Sequence, residues 1–554
     1  MKLNKLTIAA MGLSALSMAS CSESFLDVES KTQSTTENFY QTADDAYIAL
    51  IGCYDGWQCT VSNGPTFSMQ ETAMTLADEC YGGLGVGDAP NSQVLDRFDI
   101  NCDNSQQNIF DNLWKFYYRA IYRCNMLINN MSDNEDTQVK SYVAQAKAIR
   151  AILYFDLGRM FGNVPLVLTA EEGQNNPAQA EPKAVFAQVV ADLNAAIECI
   201  SDADNKKATT FADDAFTNDG WISKYACEAM LARVYLFYNG FYGQEPTGCT
   251  KQNAIDALED VINNGGYSLV SDFKDLWPAT AALTPTDANP IDYSPLDNTT
   301  YKRGNSETVL AMKFNYTADY NGNNDGNRTI VMVGPRTGGN LAYPIGQGWG
   351  GCTVNPLLVS ELGGDSRKCS VLDIASDLGS AWTQEKTDDI RDYTGYYNKK
   401  YTPLSKYDAL GNLVSALEGI MAGDFQISQC QDYVLIRYAD VLLMHSELTG
   451  TADGLNQVQS RAGAATTAYS EDALRQERKL EFAFEGIRYW DLLRYGLDYA
   501  ADQIEKSFTD VKLKNSDNLP SFSRENFLAK KGLLQIPGNQ ITISGGTLKQ
   551  NPGW

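Results

Sequence analysis

Four acidic residues near the C-terminus, Glu477, Glu481, Glu485 and Asp491, are spaced closely enough to be considered for acid/base chemistry. A glycosidase, however, needs two carboxyl groups facing each other across a cleft. Here the spacing runs along a chain: Arg478 with Glu481, Glu485 with Arg488 and Asp491 with Arg494 are each three apart, which predicts an ion-pair ladder on one helix. His445 is the single histidine in 554 residues, so zinc sites built from several histidines and two-histidine iron sites are excluded. A serine triad would rest on that one residue inside an apolar helix, and a core or rim role is expected for it. The run Asn321-Gly-Asn323-Asn324-Asp325-Gly326 opens like a calcium loop, but its twelfth position is Met332, where a bidentate glutamate belongs. A turn cluster is expected there, with no metal, no cofactor and no catalytic residue.

The first residues carry another chemistry. Lys2 and Lys5 precede an apolar run from Leu6 to Ala15, followed by Met18-Ala19-Ser20-Cys21. Small residues ending in cysteine at the end of an export leader form a bacterial lipobox, so residues 1–20 are expected to be removed and Cys21 to be acylated. Residues 21–37 would then be a polar tether. No later stretch has the roughly 20 consecutive apolar residues of a spanning helix, which leaves the lipid as the membrane anchor. Eleven further cysteines, at positions 53, 59, 80, 102, 124, 199, 227, 249, 352, 369 and 430, form no metal-ligand spacing and are an odd number. Mostly buried thiols are expected.

With 44 basic against 69 acidic side chains the net charge is −25, and loss of Lys2 and Lys5 makes the mature chain more negative still. Such a field repels nucleic acid and anionic membrane surfaces. It also disfavours heavily sulfated or uronate-rich ligands unless a local basic patch overrides it.

The elements that must position any site are mainly helical. Phe110, Leu113, Trp114, Tyr117, Ile121, Cys124, Ile128 and Met131 recur every three or four residues. Tyr142, Ala146, Ile149, Leu153, Leu157 and Met160 do the same before Gly162 and Pro165 stop the pattern. Pro182 suits a first helical turn, and Val185, Val189, Leu193, Ala196 and Ile200 continue that helix's buried face. Helices are also expected over Trp221–Tyr238, with Ala226, Ala229 and Ala232 permitting close approach, and over Lys251–Asn264, Asp432–Thr449 and Ser470–Tyr495. These resemble antiparallel pairs of the tetratricopeptide kind without its strict period of roughly 34 residues.

The fold class predicted is therefore mainly α: tetratricopeptide-like helix pairs forming a scaffold, with long irregular loop-rich insertions and a few short strands. One body spans 38–554, its helical scaffold at 38–61, 105–270 and 430–495. Loop-rich, ligand-binding regions lie at 62–104 and 271–429, with strand-like runs at Thr308–Phe314 and Thr329–Val333, and a closing segment covers 496–554. Long irregular segments are where binding residues gather. A flat aromatic ring stacks on the apolar face of a sugar while neighbouring polar groups bond its hydroxyls. The candidates by position are Asp78, Tyr81 and Asn101 in the first region, and Trp277, Tyr320, Trp349 and Trp382 in the second. Trp349 sits in Gly346-Gln-Gly-Trp-Gly-Gly351, whose small neighbours could leave the ring accessible.

Taken in order, the residues resemble the SusD/RagB family nearly end to end. The similarity runs through Gln145 to Leu166, with Arg150, Tyr154-Phe155, Arg159 and Gly162-Asn-Val-Pro165, and Lys224-Tyr225 to Leu236. It continues at Asp365 to Arg367, Arg437-Tyr-Ala-Asp440 to Met444, and Leu455-Asn456 to Gly463. Glu477 to Arg494 and Ile536-Pro537 to Trp554 complete it. The resemblance implies a lipid-anchored protein on the extracellular face of the outer membrane, without catalytic activity. It would capture oligosaccharides or polysaccharides and deliver them to a SusC-like TonB-dependent transporter. The peptide-binding RagB branch is the alternative on the same fold, and a glycan-degrading enzyme is the third reading.

Overall fold

Helical spacing and helix-stop residues act together along the N-terminal half. The computed structural model describes residues 39–554 apart from 63–66, 89–94, 96–97, 99–107, 171–175, 202–203, 206–210, 213–214, 217–219, 284–303, 315–324, 337–344, 379–389, 417–425, 427–428, 510, 512 and 514–521. Cys21 and the tether lie outside the described residues, as do Asn101, Tyr320, Trp382, Cys102 and most of the Asn321–Gly326 turn.

Among the described residues the first part is built from α1 (Ala43–Ser62), α2 (Met69–Leu76), α3 (Asp111–Met131), α4 (Thr137–Phe161), α5 (Pro182–Cys199), α6 (Lys224–Tyr242) and α7 (Lys251–Asn264). The stripes predicted for α3, α4 and α5 are buried throughout. Pro182 occupies the first turn of α5, where its missing N–H costs nothing. Gly162 closes α4, and Thr250 with Asn253 forms a capping box that starts α7. Each of α3 to α7 packs on the next in sequence, and α1 lies against both α3 and α4. The short connections 132–136 and 243–250 turn α3 back on α4 and α6 back on α7 as helical hairpins.

A second helical set, α8 (Tyr438–Thr449), α9 (Asp453–Ala462), α10 (Glu471–Glu481), α11 (Arg488–Tyr495) and α12 (Leu497–Thr509), joins the first where α8 packs on α7 and α11 on α6. Two expectations are corrected here. The apolar start of Asp432–Thr449 is a strand, Tyr433–Arg437, paired antiparallel with Thr308–Met312. Its Tyr-Val-Leu-Ile run suits a buried strand as well as a helix, and spacing alone does not separate them. The expected helix Ser470–Tyr495 breaks at 482–487, where Phe484 (φ 69°) and Gly486 (φ 72°) are left-handed.

The irregular half contains short antiparallel strand pairs, among them β1 (Cys80–Gly83) with β2 (Gly351–Val354). Thr308–Met312 is a strand as predicted, but Arg328–Val333 is a short helix instead of the expected strand. Asn327 explains the difference, since its side chain accepts from the Thr329 N–H and caps a helical turn.

Buried ion pairs tie these segments to the second helical set. Arg437, 2% exposed, reaches Glu307 at 2.8 Å, Glu481 at 2.9 Å and Glu485 at 2.8 Å. Arg461 pairs with Glu307 and Glu481, and Arg367 with Asp365 and Glu477. Lys400 reaches Glu485 at 2.7 Å. Arg478 bridges Asp440 and Asp491 at 2.6 and 2.8 Å. Burial opposes ionisation of Glu481, yet Arg461, Arg437 and Arg367 outweigh it and hold its carboxyl down at about 2. Of the three predicted pairs only Asp491–Arg494 forms, at 2.8 Å. Glu481 and Glu485 pair instead with cations from other segments, Arg437, Arg461 and Lys400.

Among the described residues all ten cysteines are free thiols, seven of them buried. No helix among those residues is long and apolar enough to cross a membrane.

Candidate functional site

Several chain segments converge on one frame around β1 and β2. Gly83 takes φ 67°, and a Cβ there would overlap the Gly350 carbonyl oxygen, so only glycine permits this approach. The Leu84 N–H then donates to that same oxygen at 2.8 Å. Gly85 bridges Ile390, Arg336 bridges Gly348, and Ile345 bridges Leu404. The residues flanking 89–94, 337–344 and 379–389, namely Asp88, Arg336, Ile345 and Ile390, therefore all belong to this frame. Leu84 (φ 68°), Cys352 (φ 52°) and Asp392 (φ 52°) are left-handed without being glycine. Each costs on the order of 1–3 kcal/mol, and strain of this kind gathers at functional sites.

Trp349 stands at the centre of the frame. Its N–H donates to the Val331 carbonyl at 2.8 Å, which fixes the backbone, while the side chain is half-buried against the core. The half-buried Arg328 guanidinium lies 4.9 Å from the ring centre, on its π-face. Arg336 pairs with Asp88 at 2.9 Å and also donates to the Trp349 carbonyl at 3.4 Å. A half-covered indole with a guanidinium over one π-face, and an arginine–carboxylate pair held on its backbone carbonyl, leaves the uncovered part of the ring to meet an apolar sugar face and the polar groups to bond hydroxyls. Arg328, Arg336 and Asp88 were not singled out by sequence reasoning. Asp88 and Arg336 are 248 residues apart, so no local pattern links them.

Three other candidates occupy structural positions, which corrects their assignment to a ligand surface. Asp78 is 3% exposed and accepts two hydrogen bonds from Arg488, at 2.8 and 3.0 Å, with Lys479 at 3.2 Å. Burial alone would raise its carboxyl, but Arg488 and Lys479 hold it well below the usual range. Tyr81 is fully buried, its hydroxyl donating to the Ser507 carbonyl and its ring packed edge-on to Phe508. Trp277 is 2% exposed and lies under two cations, Lys400 at 4.3 Å and Arg437 at 5.2 Å. It anchors the ionic core. His445 is at a rim, with Nε2 3.5 Å from Glu259.

Among the described residues no group of three His, Cys, Asp or Glu is placed to hold a metal ion. The four C-terminal acids are each engaged by arginine or lysine in the core and do not face one another across a cleft.

Known proteins share this architecture. A family model described as the SusD family matches residues 376–554, and one described as "Starch-binding associating with outer membrane" matches 24–236. SusD-like protein P38 of Formosa agariphila is 24% identical, covering 89% of this chain and 92% of its own. A laminarin-binding SusD-like protein of known structure superposes with a TM-score of 0.68 at 25% identity, covering 92% of this chain and 99% of its own. Surface glycan-binding protein A from Bacteroides thetaiotaomicron, solved with laminarihexaose, has a TM-score of 0.69 at 19% identity over 92% of this chain and 99% of its own, a likeness of fold.

Proposed function

Since this chain belongs to the SusD/RagB family, we propose that it captures glycans at the cell surface and passes them to a SusC-like TonB-dependent transporter, without altering them chemically. The observation that carries the reading is its full-length similarity to a laminarin-binding protein. The geometry supports it further, because the Trp349 frame offers an aromatic platform on a strained, pre-organised backbone. Lipid attachment at Cys21 would hold the protein at the outer membrane, with the irregular half free to meet polymer.

Affinity electrophoresis against a panel of soluble polysaccharides, laminarin first, tests this reading. Retardation with no released sugar is the expected result. Released sugar would make the protein an enzyme, and retardation by none of the panel with binding to peptides would move it to the RagB-like branch. A Cys21→Ala variant is expected to leave the membrane fraction. If it still sediments with outer membrane when the transporter is absent, the lipid anchor is wrong.

A further inference from the structure

A second cleft, of about 470 Å³, opens far along the chain from the Trp349 frame, between the C-terminal end of α6 and the closing segment 531–552. It shares no residue with that frame. Its volume is in the range of small-molecule sites, roughly 300–1,000 Å³.

One wall is aromatic. Phe241 and Tyr242 are half-buried, with ring centres 4.9 Å apart and planes at 88°, so they form a corner with two differently directed faces. Buried Tyr238 backs Tyr242 at 4.8 Å, and Phe237 stacks on Phe241 at 5.5 Å. The opposite wall is stitched in place. Gln179 and Lys549 exchange hydrogen bonds at 2.8 and 3.2 Å, Gln550 does the same with Ile536 at 2.8 Å, and Asn551 donates to the Phe161 and Leu534 carbonyls. The cleft is therefore built before any ligand arrives.

Its rim is basic in a strongly acidic chain. Lys183 and Lys531 are exposed and make no ion pair with a described residue. The one carboxylate of the lining, Glu181, accepts from Asn163 at 3.2 Å. At physiological salt charges beyond roughly 8 Å are largely screened, so these lysines and not the distant acids set the local potential.

We propose that this cleft is a second saccharide site, one that takes a sugar bearing a carboxylate or sulfate group. The sugar's apolar face stacks in the Phe241–Tyr242 corner while Lys183 and Lys531 meet its anionic group.

The test is calorimetric titration of the full mature chain with an oligogalacturonide, with a sulfated galactan oligosaccharide, and with the methyl-esterified, uncharged oligogalacturonide. At least one anionic probe is expected to bind and the ester much more weakly. The double variant Lys183→Gln/Lys531→Gln should lose roughly tenfold or more of that affinity, since hydrogen bonds to charged groups are the strong ones. Tyr242→Ala should weaken both anionic and ester binding. Laminarin binding at the Trp349 frame should be the same in all of these variants, which separates failure here from failure of the first site. The proposal is overturned if neither anionic probe binds, if the ester binds as well as the acid, or if the lysine variant binds like the wild type. Both lysines are exposed, so their replacement leaves folding intact, and a melting curve on the Tyr242 variant controls for its partial burial.

Discussion

The N-terminal helices and the irregular segments are held by different chemistry. In α3 to α5 the backbone satisfies itself within each helix, and stripes such as Leu153, Leu157 and Met160 supply the packing. The described residues between Asp272 and Gln431 form only short helices and short strand pairs. They are fixed instead by side chains that cross the fold: Glu307, Arg367 and Lys400 each end in the charged cluster around Arg437, Glu481 and Glu485. Guanidinium groups suit this task because one arginine can bind several carboxylates at fixed angles. The described segments are thus positioned from beneath, by buried ions.

The clamp is expected to fail hardest when its hub is removed. Arg437→Ala takes one cation from three buried carboxylates, leaving Glu307 and Glu481 to Arg461 and Glu485 to Lys400, and should cost about 3–5 kcal/mol. It should also speed protease cleavage between Trp277 and Lys400, whereas Leu153→Ala, at about 2–5 kcal/mol, should lower stability without that local opening. Urea unfolding with limited proteolysis compares them, and equal cleavage patterns would break the distinction. Trp277→Ala removes the ring beneath Lys400 and Arg437, and a loss of about 3–5 kcal/mol is expected. A melting temperature unchanged from wild type would return Trp277 to the surface.

Glu79 sharpens the same contrast through pH. Burial first, and then the neighbouring Asp78 carboxylate, push its carboxyl up to about 8, against the opposing pull of Arg488 and Lys400. An unfolded glutamate titrates near about 4.3, so between these values the folded chain binds the extra proton. Its contribution to stability is full below the unfolded value and is lost as pH rises towards 8. Glu79→Gln should therefore come closest to wild type near pH 4 and gain on it steadily up to pH 8. Parallel stability–pH curves for the two would contradict this. The smallest effect is expected at the surface pair Lys140–Glu135, where the side chains are 43% and 90% exposed. Lys140→Ala should leave the melting curve unchanged, and a clear shift would mean that exposed pairs share the clamp's work.

Helices were legible wherever apolar spacing was long, as in α3, α4 and α5, with Gly162 marking the end of α4 and Pro182 the start of α5. The strand Tyr433–Arg437 and the turn at 482–487 were not. A short apolar run has no decisive period, and the left-handed turn depends on Gln70, whose Cα would lie 3.0 Å from a Cβ at Gly486. Acids and arginines three apart were read as a local ladder, because partners such as Arg488 and Asp78, 410 residues apart, leave no local pattern. The same limit explains the site. Trp349 stands out in the sequence by its glycine neighbours, whereas Asp78, Tyr81 and Trp277 look like binding residues by type and are buried by partners that lie far off in sequence.

Titration of laminarin into wild type and Trp349→Ala, with a melting curve on each, tests the central claim most directly. Stacking a sugar hides roughly 60–80 Å² of apolar surface, which at about 25 cal/mol per Å² is close to 2 kcal/mol, or about thirtyfold in affinity. The account predicts that loss with a melting temperature close to wild type. Normal binding by Trp349→Ala, or loss of binding accompanied by early melting, would contradict it.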